Sequence, residues 1–195
     1  MGLDPIETLG VLFGVVAVWL TVRENVWCWP IGLVNVLLFI LVFYRARLYA
    51  DMGLQVVYVA LCLYGWWAWL HGGSGAGPLA VGRTPLRWRL GLLSAGAVVW
   101  LGLALLLARY TDAALPWWDS ATTSFSLVAQ YMQARKWLGN WLVWIAVDVV
   151  YVGIYLVKGL YPTAGLYAMF LLLAVAGWRA WRTSPGDAAA EEVAA

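Results

Sequence analysis

Charge is what this sequence has least of. Twelve Lys and Arg and ten Asp and Glu make up 11% of 195 residues, where soluble domains carry ~25%. Cysteine is almost missing: Cys28 and Cys62 are the only two, too few to staple a secreted disulfide scaffold. Basic surplus is missing as well, since the net charge is +2, which leaves nothing to track nucleic-acid phosphates. Aromatics, scarce in disordered chains, reach 15% here with fifteen tryptophans, so a solvated tail protein is excluded. A chain 64% apolar with mean hydropathy +0.80 is a membrane protein.

A helix that crosses hydrocarbon satisfies its own backbone and needs ~20 mostly apolar residues. Seven segments qualify: 6–22, 28–44, 49–70, 88–108, 117–134, 138–157 and 160–181. Asp4 and Glu7 precede the first, in place of a positive n-region, so it is expected to stay rather than be cleaved as a signal peptide. Between the third and fourth spans, His71-Gly-Gly-Ser-Gly-Ala-Gly-Pro reads as a linker, and 183–195 as a solvated tail. One side of the membrane holds Arg45, Arg47, Arg109 and Lys158; the other holds Arg23, Arg83, Arg87, Arg89, Arg135, Lys136, Arg179 and Arg182. Cytoplasmic loops retain basic residues, so the N-terminus is expected outside and the C-terminus in the cytoplasm.

Sliding the chain on itself until Leu48-Tyr49 lies over Leu160-Tyr161 also brings Gly65-Trp66 over Gly177-Trp178, with nine identities in the 22 pairs from Leu48 to Trp69. The third span falls on the seventh, four crossings later, so the copies face the same way. The expected architecture is therefore all-α, with seven transmembrane helices in a three-plus-one-plus-three layout of parallel repeats: 1–70, a linker with an inverting fourth helix over 71–116, and 117–182. Parallel repeats recur in small transporters, with the substrate near the midplane.

Amides and carboxylates at membrane depth face a bundle interior and mark either a packing contact or a path. At about 100° per residue, Asn140, Trp144, Asp148, Tyr151 and Tyr155 share one arc of the sixth span, with Trp141 beside it. Asp119, Thr122, Thr123, Ser126, Gln130 and Gln133 share another on the fifth, and Asp51, Gln55, Tyr58 and Cys62 a third. Asn35 with Phe39, and Thr163 with Tyr167 and Phe170, begin arcs on the second and seventh. Single Ser and Thr residues in such positions often only bond neighbouring helices. Taken together, Asn35, Gln130 and Asp148 mark a cavity for a small, flat, polar molecule. Asp148 has three open roles: accepting bonds from neighbouring helices, attracting a cationic ligand, or taking up a proton or Na⁺. No Lys or Arg lies in the interior of any span, away from its ends, which disfavours a phosphorylated ligand.

Catalytic signatures are missing: no phosphate-binding glycine loop, no zinc spacing, no lysine in the last span for a retinal Schiff base. No enzyme and no cofactor are expected. Trp117, Trp118, Trp178 and Trp181 read as interface belt residues.

The stretch Arg135-Lys-Trp-Leu-Gly-Asn140-Trp141-Leu-Val-Trp144-Ile-Ala-Val-Asp148, then Lys158-Gly-Leu-Tyr161 and Gly165-Leu-Tyr167, with Trp27-Cys-Trp-Pro30-Ile-Gly-Leu-Val-Asn35 upstream, resembles the nicotinamide riboside transporters of the PnuC type. The resemblance implies a SWEET-like fold, a homotrimer in the cytoplasmic membrane, and facilitated diffusion of a vitamin-like nucleoside that a cytoplasmic kinase traps. It ties the Asn-Trp-x-x-Trp motif at Asn140, Trp141 and Trp144 to substrate. Similar families carry thiamine or riboflavin. Pro162 departs from the expected apolar residue but is harmless in a first helical turn. The substrate-binding set expected is Asn35, Gln55, Tyr58, Ser126, Gln130, Asn140, Trp141, Trp144, Asp148, Tyr151 and Tyr167. Two alternatives stay open, an H⁺- or Na⁺-coupled carrier using Asp148 and a ligand-sensing subunit without flux.

Overall fold

The computed structural model describes residues 5–45, 49–73, 77–111 and 115–184. These form α1 (Pro5–Val22), α2 (Cys28–Arg45), α3 (Tyr49–His71), α4 (Leu86–Tyr110), α5 (Pro116–Ala134), α6 (Asn140–Val157) and α7 (Tyr161–Arg182). All but α5 are long and apolar enough to cross a membrane. α5 departs because Ser120, Thr122, Ser124 and Ser126 run along its length, and all four are buried. Prolines punctuate the chain where their missing N–H does no harm, Pro116 and Pro162 falling in first helical turns. Gly159, at φ +70°, makes the turn between α6 and α7. The side chain of Asp51, the middle of the glycine linker and the tail from residue 185 lie outside the described residues.

Two compact units emerge. The first holds α1 to α3 together with residues 134–136; the second holds α4 to α7. In the first, α1 packs on α2 and α2 on α3; in the second, α6 packs on α7.

Glycine notches make these packings close. Asn35 on α2 donates its amide to the Gly10 carbonyl on α1 at 2.7 Å, and a methyl group on Gly10 would lie 3.0 Å from the Phe39 ring. Trp29 of α2 sits in the notch at Gly65 of α3, where a Cβ would overlap the indole, and meets Trp69 edge-on, centroids 5.5 Å apart at 86°. The second unit repeats the device at the positions that the repeat pairs with these. Trp141 of α6 fills the notch at Gly177 of α7 and meets Trp181 edge-on at 5.3 Å and 84°.

The turns that lead into these locks match as well. Glu24 and Lys136 both adopt the left-handed conformation, φ 52° and 54°. Asn25 N–H donates to Leu20 O at 2.9 Å, and Trp137 N–H to Met132 O at 3.0 Å. In both places the next helix opens alike, Cys28 N–H to Asn25 O and Asn140 N–H to Trp137 O, each at 3.0 Å. A helix that ends on a left-handed residue normally places glycine there. A side chain at that point costs roughly 1–2 kcal/mol.

One expectation is corrected. Trp181, read as a belt residue, is fully buried, because Gly177 one turn earlier opens the notch that brings Trp141 against it. Lys136, between α5 and α6, is only 8% exposed. Its ammonium reaches Glu24 at 2.9 Å and the Leu79 carbonyl at 3.0 Å, which replaces the water it gives up.

Gly65→Ala and Gly177→Ala should each lower stability by about 1–3 kcal/mol, because the added methyl overpacks a filled notch. Gly153→Ala and Gly165→Ala, where a methyl meets open space, should not. Thermal unfolding in detergent measures the difference.

Candidate functional site

The polar arc of α6 faces α7 and α5 within the second unit. Tyr151 and Tyr155, one turn apart, stack with centroids at 5.9 Å. Tyr167 of α7 packs against both, 4.4 Å from Tyr151 and 5.2 Å from Tyr155, and Phe170 meets Tyr167 edge-on at 5.9 Å. Tyr151 lies near Thr122 and Ser126 of α5, and the Thr122 hydroxyl itself donates back to the Trp118 and Asp119 carbonyls. Asp148, one turn before Tyr151, is 5% exposed and lies near Tyr167. No described residue donates a hydrogen bond to its carboxylate and no cation pairs with it. A carboxyl group so placed at membrane depth is held by hydrogen bonds, a counter-ion or a proton.

The rest of the motif divides into two kinds of residue. Trp144 is half-buried, and its indole N–H donates to Gln133 Oε1 of α5 at 3.2 Å, which fixes the ring plane. Trp141 is 1% exposed and its Nε1 has no acceptor. Asn140, fully buried, donates Nδ2 to the Trp137 carbonyl at 2.7 Å and leaves Oδ1 unpaired. Asn140 and Trp141 thus build the start of α6, while Trp144 and Asp148 lie further along the arc.

Of the expected residues, the structure gathers Ser126, Asp148, Tyr151 and Tyr167 in one cluster and sets Trp144 on the same face of α6. Gln130 is half-buried on α5. Asn35, Gln55 and Tyr58 belong to the first unit, where Asn35 is committed to Gly10 and Gln55 and Tyr58 are half-buried. Tyr155, Phe170, Thr122 and Gln133 lie on the expected arcs but outside the expected binding set. Tyr155, Phe170 and Thr122 extend the cluster, Gln133 accepts from Trp144, and the one-turn spacing from Tyr151 to Tyr155 is the signal in the sequence. Three stacked rings, two small hydroxyls and an unpaired carboxylate suit an aromatic cation that also carries hydroxyl groups.

The family model described as nicotinamide mononucleotide transporter matches residues 4–183. The chain belongs to that family. Among relatives of the nicotinamide mononucleotide transporter family, the nicotinamide riboside transporter PnuC of Escherichia coli (strain K12) is 30% identical over 93% of this chain and 87% of its own length. The riboflavin/roseoflavin transporter RibM of Streptomyces davaonensis is 30% identical over 90% of this chain and 83% of its own. A crystal structure of the vitamin B3 transporter PnuC shares the fold, with TM-score 0.70 and 23% identity over 90% of this chain and 80% of that one.

Trp141→Ala should lower stability by about 3–5 kcal/mol, the range for emptying a buried aromatic site. Trp144→Ala should cost less than half as much, since its ring is only half-buried; calorimetric unfolding of both variants checks the contrast.

Proposed function

We propose that this chain is a membrane transporter that carries nicotinamide riboside, the unphosphorylated nucleoside, by facilitated diffusion. The observation that carries the reading is the buried, cation-free carboxylate of Asp148 near Tyr167, whose ring packs against Tyr151 and Tyr155. A pyridinium ring is attracted by both the carboxylate and the ring faces, and the ribose hydroxyls and carboxamide find donors and acceptors at Ser126, Thr122 and Gln130. Trp144 offers a further stacking face. A phosphate dianion would meet a carboxylate where it needs an arginine or lysine. The mononucleotide in the family description is therefore the poorer cargo for this site, and the relatives named for the riboside support that choice.

The matching turns and Trp–Gly locks at repeat-paired positions support reading the chain as two copies of one three-helix module, 1–70 and 117–182, with the fourth helix as connector. Asn35, Gln55 and Tyr58 are proposed as ligand-facing on the first copy. Alternating access, with the N-terminus outside, the C-terminus in the cytoplasm, a trimeric assembly and trapping by a cytoplasmic kinase, completes the proposal. Riboflavin is the second reading, favoured by the relative named for it. It is neutral, so the role of Asp148 separates the two.

Asp148→Asn should weaken nicotinamide riboside binding at least tenfold while leaving its neutral dihydro form within twofold, because the change removes charge and keeps shape. Trp144→Ala should weaken both by about 1–3 kcal/mol, the value of stacking on an aromatic side chain. Titration calorimetry on purified protein reads each. Equal losses for cation and neutral form in Asp148→Asn would refute a charge-reading site. In proteoliposomes, uptake should stop at equal concentrations whether or not a proton or Na⁺ gradient is imposed.

A further inference from the structure

Two left-handed residues that could have been glycine carry opposite charges, and they touch. Glu24 ends the turn after α1 and Lys136 ends the matching turn after α5. The Lys136 ammonium holds Glu24 Oε2 at 2.9 Å and donates to the Leu79 carbonyl at 3.0 Å. It also sits 4.8 Å above the Trp69 ring, the ring that Trp29 meets edge-on. The residues 134–136 belong to the first unit although the helices they join, α5 and α6, belong to the second. Residues 134–136 are therefore held within the first unit by this contact.

Glycine would hold either turn without strain. The side chains are there for what they reach, and backbone strain maintained by its surroundings marks functional positions. The contact is also built to release. Glu24 keeps 27% of its side chain exposed, so water can replace the lysine, and a flexible ammonium on a four-carbon stem separates without disturbing a packed core.

We propose that Glu24 and Lys136 form a breakable clasp that opens once in each transport cycle and sets how fast the chain leaves the conformation seen here. This rests on the transport reading above, and the test separates the two.

The test uses Glu24→Cys/Lys136→Cys in a background with Cys28→Ala and Cys62→Ala, bridged after purification with a short, reducible bis-methanethiosulfonate. Counterflow of labelled nicotinamide riboside in proteoliposomes is expected to fall at least tenfold on bridging and to return on reduction. Bridged protein that exchanges at the unbridged rate overturns the clasp. Hydrogen exchange of the amides at 134–138 gives a readout without cargo, expected to slow at least tenfold on bridging; no slowing counts against the clasp even if nicotinamide riboside proves not to be the substrate. Wild-type protein that fails to exchange the riboside overturns the transport reading alone. Charge reversal supplies a second arm, since Glu24→Lys and Lys136→Glu should each lower exchange at least fivefold. The double variant should regain at least half of the loss, and one no faster than the singles contradicts the proposal.

Discussion

A carboxylate buried among helices with no cation beside it is the constraint on which the rest depends. In hydrocarbon such a group is held by hydrogen bonds, by a counter-ion or by a proton, and Asp148 has neither of the first two among the described residues. It lies near Tyr167, which packs against Tyr151 and Tyr155. That leaves a proton or, on the transport reading proposed above, a ligand that brings positive charge. On that reading, cargo choice follows from what the interior lacks as much as from what it contains.

The two halves of the chain show how such a site grows on a shared frame. The turn, the helix start and the Trp–Gly–Trp lock recur at paired positions with nearly the same distances and angles. The polar face does not recur. Asp148, Tyr151 and Tyr155 stand where the first half has Val36, Phe39 and Phe43, and Thr122 and Ser126 where it has Gly10 and Gly14. Phe39 and Phe43 even keep the ring pair, 5.8 Å apart. In the first half the glycines let Phe39 and Asn35 close on α1; in the second, hydroxyls at those positions meet Tyr151. Paired positions thus carry apolar rings and glycines in one half and polar groups in the other.

Much of this was legible in residue order. The seven helices fall within a few residues of the apolar runs because a span must satisfy its backbone internally, and the arc of α6 was readable from helical periodicity. Tryptophan was the misleading residue. Periodicity placed Trp141 beside the polar arc and composition placed Trp181 at an interface, yet the two bury each other, a pairing that depends on Gly177 and is invisible until the helices are packed. Lys136 is a related case. Residue order places it in a short connection between spans, and only the fold shows Glu24, Leu79 and Trp69 around it.

The most direct measurement is equilibrium competition on the purified protein, with labelled nicotinamide riboside bound and its mononucleotide added as challenger. The account predicts no displacement by the mononucleotide at a hundredfold excess, while the unlabelled riboside displaces fully. Displacement by the two at similar concentrations would contradict it, because an acidic, cation-free site cannot hold a phosphate as well as it holds the bare nucleoside.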